Sequence, residues 1–462
     1  MKIHVMGAGG SGMQPLARLL QARGYTVTGD DREASPALEA LHQEGIQTFV
    51  GHDPSHLQGV DAVAPSSAIP KNNPELVAAH QLGIPVWHRG DVLNRLMQSR
   101  ENNPTVGIAV AGTHGKSTTT GMIATILVDA GLDPSYIIGA TPASLGANAH
   151  SGDGQVFVVE ADEYDRTFLR LEPSIAVITN IEFDHPDTYR DLDDTINTFM
   201  EFSRHLPAAG ALVACADDDG VTEMLRRASP LQAPLLDYGF KRGAWRCMNP
   251  HTNPVGGLDF SYNGPGGQSG VCSLRVPGEH NMLNALAALA TSDAVNVPLD
   301  DAVASLGRYT GAGRRFELRG ERRGVRVIDD YAHHPTEIRA TLSAARERFP
   351  VANLWAVWQP HTFSRTAALL DQFAQAFDDA DQVIVLPIYA AREKAEDFNA
   401  AGQTLNPIAI ARQIKHRHVY NAASLGDALG MLISQVRPGD VVITLSAGDG
   451  NLVGERLLEM LR

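Results

Sequence analysis

The sequence predicts an α/β protein of several domains, in which helices cover mostly parallel sheets. The chain has 462 residues, and at about 100–200 residues per domain this length allows two to four domains. Hydrophobic residues make up 44% of the chain and charged residues 20%, which is typical of globular proteins. Short apolar segments alternate with helix-length segments, and this alternation indicates parallel sheets flanked by helices.

Charge and cysteine content exclude several classes of protein. The net charge is −15, from 38 Lys+Arg and 53 Asp+Glu, so a broad basic face for nucleic acid is not expected. The three cysteines form no CxxC pair, which suggests neither a zinc knuckle nor a disulfide framework. No apolar run approaches the ~20 residues of a membrane span, and the N-terminus lacks the apolar region of a signal peptide. We therefore expect a cytoplasmic protein with no nucleic-acid partner and no membrane insertion, for which a homodimer is one candidate assembly.

The first predicted domain, 1–102, opens with the pattern of a doubly wound sheet. A strand at Lys2–Met6 leads through a glycine-rich turn into a helix at Met13–Arg23 and a strand at Tyr25–Thr28. The other elements predicted in this domain are helices at Pro36–Glu44 and Asp91–Met97, strands at Ala62–Pro65 and Pro85–His88, and a polar linker at 98–104.

The glycine-rich turn of this domain, residues 7–12, fits the pattern G-x-G-x-x-G. Such a turn brings a diphosphate to the N-terminus of the following helix. Asp30 or Asp31, about 20 residues further on, is suited to hold a ribose. The pattern alone does not separate NAD from a UDP-sugar, and a turn without any ligand also stays open.

The second predicted domain, 103–310, contains the strongest motif of the chain. A strand at Thr105–Ala111 leads into Gly112-Thr113-His114-Gly115-Lys116-Ser117-Thr118, and a helix follows at Thr119–Ala130. The match is to G-x-x-G-K-[ST], because Val110 stands where the strict P-loop pattern has its first glycine. In this context backbone N–H groups cradle phosphates, Lys116 reaches the β- and γ-phosphates, and the Ser117 hydroxyl binds Mg²⁺. The motif therefore predicts a nucleoside triphosphate site.

Polar side chains follow two further apolar strands of this domain. Glu160 is the first polar residue after Val156–Val159, and the strand at Ile175–Thr179 ends in the polar segment Asn180–His185. Ligands of parallel sheets bind at the carboxyl ends of strands, so these residues predict a cation site. Glu160 is the best Mg²⁺ ligand, and His185 is suited to a second Mg²⁺ or to a phosphate. A merely acidic loop is the alternative.

The third predicted domain, 311–462, repeats the alternation of strands and helices. Polar turns follow its first, second and last strands, at Asp329–Thr336, at Gln359–Thr366 and at 446–450. Arg365 is suited to bind a carboxylate or phosphate with two hydrogen bonds. The predicted strands are Val325–Ile328, Leu354–Trp358, Val383–Pro387 and Val441–Leu445. No G-x-S-x-G nucleophile motif is present.

Six ordered motifs carry a resemblance to the Mur ligases, the ATP-dependent amide-forming enzymes of peptidoglycan precursor assembly. They are 112–120, 160–165, 180–185, 279–285, 329–336 and 359–366. The resemblance covers essentially the whole chain. It implies a Rossmann-like UDP-binding domain, a central P-loop ATPase-like domain with a parallel sheet, and a Rossmann-like domain that binds the amino acid.

The resemblance also implies a reaction in two steps. ATP phosphorylates the carboxylate of a UDP-linked muramic acid to an acyl phosphate, and an amine then displaces phosphate. The segments that most resemble the branch that adds L-alanine to UDP-N-acetylmuramate are 7–13, 111–120, 329–338, 359–366 and 388–394. The implied cofactors are ATP and Mg²⁺, and the implied substrates are UDP-N-acetylmuramate and L-alanine.

The family's functional residues map onto matching positions of this chain. The catalytic group is Lys116, His185, His334 and Arg365. The ATP-binding group is Gly112, Thr113, His114, Gly115, Lys116, Ser117, Thr118, His280, Asn281, Asn284 and Arg315. The UDP-sugar group is Gly7, Gly9, Gly10, Ser11, Gly12, Asp30 and Ser67, and the metal ligands are Ser117, Glu160 and His185.

Some residues depart from the alanine-adding pattern. Tyr164 replaces the usual Ser and resembles the related ligase that joins a preformed tripeptide, and Thr362-Phe363 replaces the usual Arg-Tyr. Ser117 replaces the commoner Thr and keeps the hydroxyl. The segment 186–207 contains no lysine, so we expect no carbamylated lysine of the kind that later-acting relatives carry.

Three other functions are weighed against this one. A ligase for a preformed tripeptide is favoured by Tyr164 alone. A nicotinamide oxidoreductase would use the turn 7–12 and Asp30, but it leaves Lys116 and Glu160 unexplained. A regulatory nucleotide-binding module without turnover is disfavoured because the Lys116, Ser117, Glu160 and His185 set is intact.

Overall fold

The computed structural model describes residues 1–10, 12–98, 105–399 and 405–461. The chain divides into two compact units, each of which is built from several segments. The first comprises Met1–Ile181, Asp193–Arg246 and Leu286–Ser305, and the second comprises Glu182–Leu192, Cys247–Ala285 and the chain from Leu306 onward. Among the described residues, no helix combines the length and apolar character that crossing a bilayer requires.

The N-terminal part of the first unit is a four-stranded parallel sheet with the order β3-β2-β1-β4. This order is that of a mononucleotide-binding half of a Rossmann fold. Ser35 caps α2 and Asn73 caps α3, each accepting a hydrogen bond from a backbone N–H two or three residues on. The elements are β1 (Lys2–Met6), α1 (Met13–Ala22), β2 (Thr26–Asp31), α2 (Pro36–Gln43), β3 (Gln47–Val50), β4 (Ala62–Pro65), α3 (Pro74–Gln81) and α4 (Arg89–Gln98).

The middle of the chain forms a larger sheet and an antiparallel hairpin. The elements are β5 (Val106–Ala111), α5 (Lys116–Asp129), β6 (Ser135–Ile137), β7 (Ala149–His150), β8 (Val156–Glu160), β9 (Ile175–Ile178), α6 (Leu192–Ser203), β10 (Ala211–Cys215), α7 (Asp219–Ala228), β11 (Leu235–Gly239), β12 (Trp245–Thr252), β13 (Leu258–Asn263), β14 (Ser269–Ser273), α8 (Glu279–Ala294) and α9 (Leu299–Leu306).

In the first unit, the strands of the larger sheet have the order β11-β10-β9-β5-β8-β6-β7. Neighbouring strands are parallel except for the edge pair β6–β7. β5 lies in the middle of this order. Its residues from Gly107 to Ala111 are buried, which explains why it reads as a continuous apolar run. The hairpin β13–β14 belongs to the second unit and lies where the Gly- and Pro-rich segment 249–270 allowed a hairpin or a long loop.

The C-terminal part of the second unit is a sheet with the order β15-β16-β20-β17-β18-β19, in which only β15–β16 is antiparallel. Alternate residues of its strands face two separate cores: Val327 and Val357 pack on one side, Ile328 and Trp358 on the other. The elements are β15 (Glu317–Arg322), β16 (Val325–Asp330), α10 (Pro335–Arg348), β17 (Leu354–Trp358), α11 (Phe363–Ala368), α12 (Leu370–Phe373), β18 (Gln382–Val385), α13 (Ala395–Asn399), α14 (Pro407–Ala411), β19 (Val419–Asn421), α15 (Leu425–Gln435), β20 (Val441–Leu445) and α16 (Asn451–Met460).

The predicted α/β class with parallel-rich sheets is confirmed, and one predicted strand is wrong. Pro85–His88 forms only an isolated bridge between Val86 and Val63, flanked by the bonds Val63 N–Pro85 O (2.9 Å) and Trp87 N–Val63 O (2.8 Å). Pro85 has no N–H to extend the ladder. Most of the predicted linker at 98–104 falls outside the described residues. The domain boundaries at 102/103 and 310/311 stay predictions.

The C-terminal core supplies a test of the fold. Trp358 is fully buried, with ring centroids 4.7 Å from Phe373 and 5.3 Å from Phe377. We expect Trp358→Ala to lower the free energy of unfolding of this part of the chain by ~3–5 kcal/mol, because a large cavity replaces the ring. The control is Val351→Ala at a 98% exposed position, with an expected change within about 0.5 kcal/mol. Equal shifts of the two urea midpoints would contradict this placement of Trp358.

Candidate functional site

The predicted phosphate-binding turn, residues 112–118, runs from the end of β5 into the first turn of α5 in the first unit, and residues at the end of β9 contact it. Gly112 has a φ of 138°, and a Cβ atom there would lie 2.0 Å from Thr179 Oγ1. The Asn180 side chain accepts a hydrogen bond from His114 N (2.7 Å), and Thr179 Oγ1 donates one to His114 O (2.6 Å). Only glycine fits at position 112. Hydrogen bonds with the Thr179 and Asn180 side chains fix the backbone of the turn at His114.

Lys116 is the first residue of α5, and its ammonium group is paired within the turn. Its Nζ donates to Gly112 O (2.7 Å) and lies 2.7 Å from Glu163 Oε2. Burial by itself lowers the pKa of Lys116, but the carboxylates of Glu163, Asp162 and Glu160 outweigh it and raise the pKa above its usual value. Lys116 is therefore positively charged at the N-terminus of α5, next to the predicted phosphate site. The predicted site did not include Glu163 as its partner.

Ser117 and Glu160 meet beside the same turn. Ser117 Oγ donates to Glu160 Oε1 (3.0 Å), and Gly139 N donates to Glu160 Oε2 (2.6 Å). A hydroxyl and a carboxylate oxygen are the hard ligands that Mg²⁺ binds, so the two residues fit a Mg²⁺ site. The remaining predicted residues of the turn are close by, since Thr113 and Gly115 complete it and Thr118 lies buried in the first turn of α5.

The N-terminal glycine turn connects β1 to α1. Gly9 N donates to Asp31 Oδ2 (3.0 Å), so Asp31 lies beside the turn. Asp30 is fully buried instead, with Oδ2 2.9 Å from His52 Nδ1. The role of Asp30 as a UDP-sugar ligand stays a prediction. Of the other predicted residues, Gly7, Gly10 and Gly12 lie in or next to the turn, Ser67 is exposed after β4, and Ser11 falls outside the described residues.

In the second unit, Arg365 and Asp184 form a buried ion pair. Arg365 Nε donates to Asp184 Oδ1 (2.6 Å) and Nη2 to Oδ2 (3.2 Å), and both side chains are 4% exposed. Burial alone raises the pKa of Asp184, but the charge of Arg365 holds it well below its usual range. Two histidines lie against the guanidinium, with His361 Nδ1 3.0 Å from Nη1 and His185 Nδ1 3.3 Å from Nη2.

His361 is neutral in this arrangement. Burial and the nearby Arg365 lower its pKa to about 4, so its unprotonated Nδ1 accepts a hydrogen bond from Arg365 at neutral pH. The predicted residues Arg365 and His185 are thus brought together, and Asp184 and His361 complete the group. The backbone of His185 has a φ of 54°, which lies in the left-handed region.

His334 caps α10 and contacts the segment before His185. Its Nδ1 accepts a hydrogen bond from Thr336 N (3.3 Å), and its Nε2 lies 3.3 Å from Phe183 O. Thr336 Oγ1 donates to Glu182 Oε2 (2.7 Å). His334 is 1% exposed, so its position is fixed by packing and by both ring nitrogens.

The predicted adenine-side residues lie at the start of α8 in the second unit. Asn281 Nδ2 donates to Pro277 O (2.7 Å), and Asn284 Nδ2 donates to Asn281 Oδ1 (3.2 Å). Burial lowers the pKa of His280 to about 4, so its imidazole is neutral. Arg315 lies over the Tyr331 ring at 5.2 Å. These four residues keep their predicted roles as proposals.

Glu393 is a further residue that the predicted site lacked. It accepts hydrogen bonds from Phe363 N and from Ser364 N and Oγ, at the N-terminus of α11. A carboxylate is favourable there because the helix N-terminus carries partial positive charge. In the sequence, Glu393 lies in the segment 388–394. This segment resembles the alanine-adding branch, but the resemblance does not indicate a contact with α11.

Comparisons with known proteins match the whole chain to one family. Residues 2–101 match the Mur ligase family catalytic domain, 110–292 the Mur ligase middle domain, and 314–448 the Mur ligase glutamate ligase domain. A UDP-N-acetylmuramate–L-alanine ligase of Paenarthrobacter aurescens is 42% identical over 100% of this chain and 97% of its own. One of Roseiflexus sp. is 40% identical over 100% of this chain and 99% of its own.

Solved structures resemble the chain over its full length. The UDP-N-acetylmuramate–alanine ligase of Thermotoga maritima superimposes with a TM-score of 0.80 at 28% identity, over 100% of this chain and 99% of that one. A murein peptide ligase of Psychrobacter arcticus superimposes with a TM-score of 0.75 at 27% identity, over 100% and 98% of the two chains. The three-domain architecture expected from the sequence is therefore confirmed.

The phosphate-binding turn generates one prediction. Gly112→Ala places a methyl group against Thr179 in a backbone conformation that alanine disfavours, so we expect it to weaken nucleotide binding at least ~10-fold. The matched control is Gly131→Ala, which also has a positive φ but has nothing within 4 Å of the added Cβ. Calorimetric titration with a non-hydrolysable ATP analogue measures both. Equal affinities of the two variants would contradict the steric argument.

The Asp184–Arg365 pair generates a prediction on stability and pH. Asp184→Asn leaves a buried guanidinium without its counter-charge, so we expect a loss of ~3–5 kcal/mol in unfolding free energy at pH 7. Because the folded-state pKa of Asp184 is lowered, this contribution is present above the ordinary value of 3.8 and disappears only as the pH falls through the folded-state value. The loss is therefore constant from pH 8 down to about pH 5.

The matched control is Glu455→Gln, which removes the same charge from the partly exposed pair with Arg319. It is expected to cost less than ~1 kcal/mol. Denaturant unfolding of both variants between pH 5 and pH 8 gives the comparison. A loss in Asp184→Asn no larger than that in Glu455→Gln would show that the buried pair is not stabilising in this way.

Proposed function

This chain belongs to the Mur ligase family, and we propose that it joins the amine of L-alanine to the carboxylate of UDP-N-acetylmuramate in peptidoglycan precursor synthesis, with conversion of ATP to ADP and phosphate. The observation that carries the proposal is the 38–42% identity, over 99–100% of this chain, to relatives named UDP-N-acetylmuramate–L-alanine ligase. The intact arrangement of Lys116, Ser117 and Glu160 beside the phosphate-binding turn supports it.

In the first step, a carboxylate oxygen of UDP-N-acetylmuramate attacks the γ-phosphorus of ATP. The bond to the β,γ-bridging oxygen breaks, so ADP leaves and an acyl phosphate forms. Lys116 would exchange its pairing with Glu163 for the γ-phosphate, whose charge is larger and faces the helix N-terminus. The N–H groups of the turn would hold the other phosphates.

Ser117 and Glu160 would hold Mg²⁺, with the hydroxyl and carboxylate oxygens that the structure brings to 3.0 Å. The ion supplies neutralisation of phosphate charge when it is bound. His185 keeps its proposed role as a ligand of a second Mg²⁺. No protein nucleophile is needed, because positioning and charge compensation suffice for phosphoryl transfer.

In the second step, the uncharged amine of L-alanine attacks the acyl carbon. The tetrahedral intermediate collapses with loss of phosphate, and the proton that the amine loses passes to the leaving phosphate as the amide forms. Arg365 and His334 are proposed to orient the reacting groups. Arg365 is fixed by Asp184, and His334 is fixed by its bonds at the start of α10, so neither side chain needs to be ordered when substrate binds.

The UDP part of the substrate is proposed to bind at the N-terminal glycine turn, where Gly7, Gly9, Gly10, Ser11 and Gly12 would approach the diphosphate. We also propose that the enzyme acts in the cytoplasm and has domains at 1–102, 103–310 and 311–462. A homodimer stays a prediction.

A ligase for a preformed tripeptide is the second candidate, and Tyr164 favours it. ADP release, measured with UDP-N-acetylmuramate and each amine separately, distinguishes the two. We expect release with L-alanine, and release with the tripeptide alone would contradict the main proposal. Glycine and L-serine belong in the same series, because one small group in the pocket changes the rate by only ~10–200-fold.

Lys116 generates the prediction for catalysis. Lys116→Ala removes the charge that compensates the γ-phosphate, so we expect ADP release to fall at least ~100-fold while the circular dichroism spectrum is unchanged. The control is Lys71→Ala, an exposed lysine of the N-terminal part, with turnover near that of the unmodified enzyme. Near-normal turnover of Lys116→Ala would contradict the role given to the phosphate-binding turn.

A further inference from the structure

Four side chains from separate elements of the N-terminal part converge on one buried point. They are His4 of β1, Asp30 of β2, His56 of the short helical turn at Pro54–Leu57, and Glu75 in the first turn of α3. His4, Asp30 and Glu75 are 0% exposed, and the His56 side chain is 11% exposed. Each offers one nitrogen or oxygen atom, and these four atoms all lie within 4.8 Å of one another.

Four of the six distances within this cluster are close to those between the ligands of a tetrahedral metal ion. His4 Nε2 lies 3.6 Å from Asp30 Oδ2 and 3.5 Å from Glu75 Oε1. His56 Nδ1 lies 3.6 Å from Asp30 Oδ2 and 2.8 Å from Glu75 Oε1. With metal–ligand bonds of about 2.0–2.1 Å, tetrahedral Zn²⁺ separates its ligand atoms by about 3.3 Å. Small side-chain adjustments would bring all four atoms to bonding distance.

Two atoms of the cluster are buried without a hydrogen-bond partner. They are His4 Nε2 and Asp30 Oδ1. Buried polar atoms are normally satisfied, so both need an explanation. Within the described residues, the two buried carboxylates are paired with the imidazoles of His4, His52 and His56, and no Lys or Arg forms an ion pair with either of them. A divalent cation would neutralise the Asp30 and Glu75 carboxylates and would also bind His4 Nε2.

Neighbouring side chains orient the cluster. His4 Nδ1 lies 2.9 Å from Thr28 Oγ1, which directs Nε2 towards the carboxylates. The His56 ring stacks on Phe49 with centroids 4.1 Å apart. His52 Nδ1 lies 2.9 Å from Asp30 Oδ2 and 3.1 Å from Glu75 Oε2, where it holds both carboxylates. Such outer contacts are typical of metal centres, where they fix the ligands before the ion arrives.

We propose that His4, Asp30, His56 and Glu75 bind one structural Zn²⁺ ion that ties β1, β2 and α3 together. Two imidazoles and two carboxylates suit Zn²⁺ better than Mg²⁺ or Ca²⁺, which prefer oxygen ligands alone. The site is separate from the phosphate-binding turn and does not depend on the proposed reaction. It also leaves Asp31, beside the glycine turn, as the carboxylate available to a nucleotide ribose.

The experiment is metal binding to the full chain after dialysis against EDTA. Excess Mg²⁺ occupies oxygen-only sites, ZnCl₂ is added, unbound metal is removed, and retained zinc is measured by mass spectrometry. We expect one Zn²⁺ per chain and a higher midpoint of thermal unfolding with zinc than without. His56→Gln should lose at least ~10-fold in zinc affinity. The control His80→Gln, an exposed histidine in the last turn of α3, should bind as the unmodified chain does.

Co²⁺ gives a second readout that needs no variant. Bound in this cluster of the unmodified chain, it should show the strong visible absorption of tetrahedral coordination, and Zn²⁺ should displace it. Three results would overturn the proposal: no zinc retained by the unmodified chain, equal retention by His56→Gln and the unmodified chain, or only the weak absorption of octahedral Co²⁺.

Discussion

The close approach of Gly112 to the end of β9 is the constraint on which the predicted nucleotide site of the first unit depends. Thr179 Oγ1 occupies the space that a side chain at position 112 would need, and it holds the carbonyl of His114. The backbone is therefore curled before any phosphate arrives, and α5 begins directly beyond it with Lys116. The position of Ser117 opposite Glu160 follows from the same geometry, because β8 lies next to β5.

The two basic residues most central to the proposed chemistry each form an ion pair with a carboxylate. Lys116 is paired with Glu163 in the first unit, and Arg365 with Asp184 in the second. A buried cation without a partner would be costly, so each carboxylate stabilises its unit in the absence of substrate. The pairs also reconcile a net charge of −15 with polyanionic substrates, since binding depends on a few placed cations and on backbone N–H groups rather than on a basic surface.

Much of this architecture could be predicted from the sequence, and the failures have physical causes. The observed bounds of β4, β17 and β20 equal the predicted ones, because buried parallel strands are continuous apolar runs that end at polar residues. Edge strands such as β3, β7 and β15 are short or polar and were not predicted. Ser117 was predicted as a ligand from its place in the glycine-rich motif, and Glu160 from its place directly after a strand. The pairings Lys116–Glu163, Arg365–Asp184 and Ser364–Glu393 were not, because sequence spacing carries no information on which distant side chains meet.

In the proposed reaction, ATP activates the muramyl carboxylate as an acyl phosphate before the amine attacks. Transfer of ¹⁸O tests it most directly. UDP-N-acetylmuramate labelled with ¹⁸O in its carboxylate is converted with ATP and L-alanine, and the released phosphate is analysed by mass spectrometry. An acyl phosphate intermediate should leave one ¹⁸O atom in each phosphate, because the C–O bond of the activated carboxylate breaks. Unlabelled phosphate, with one ¹⁸O atom in the amide product and the other released into water, would contradict it.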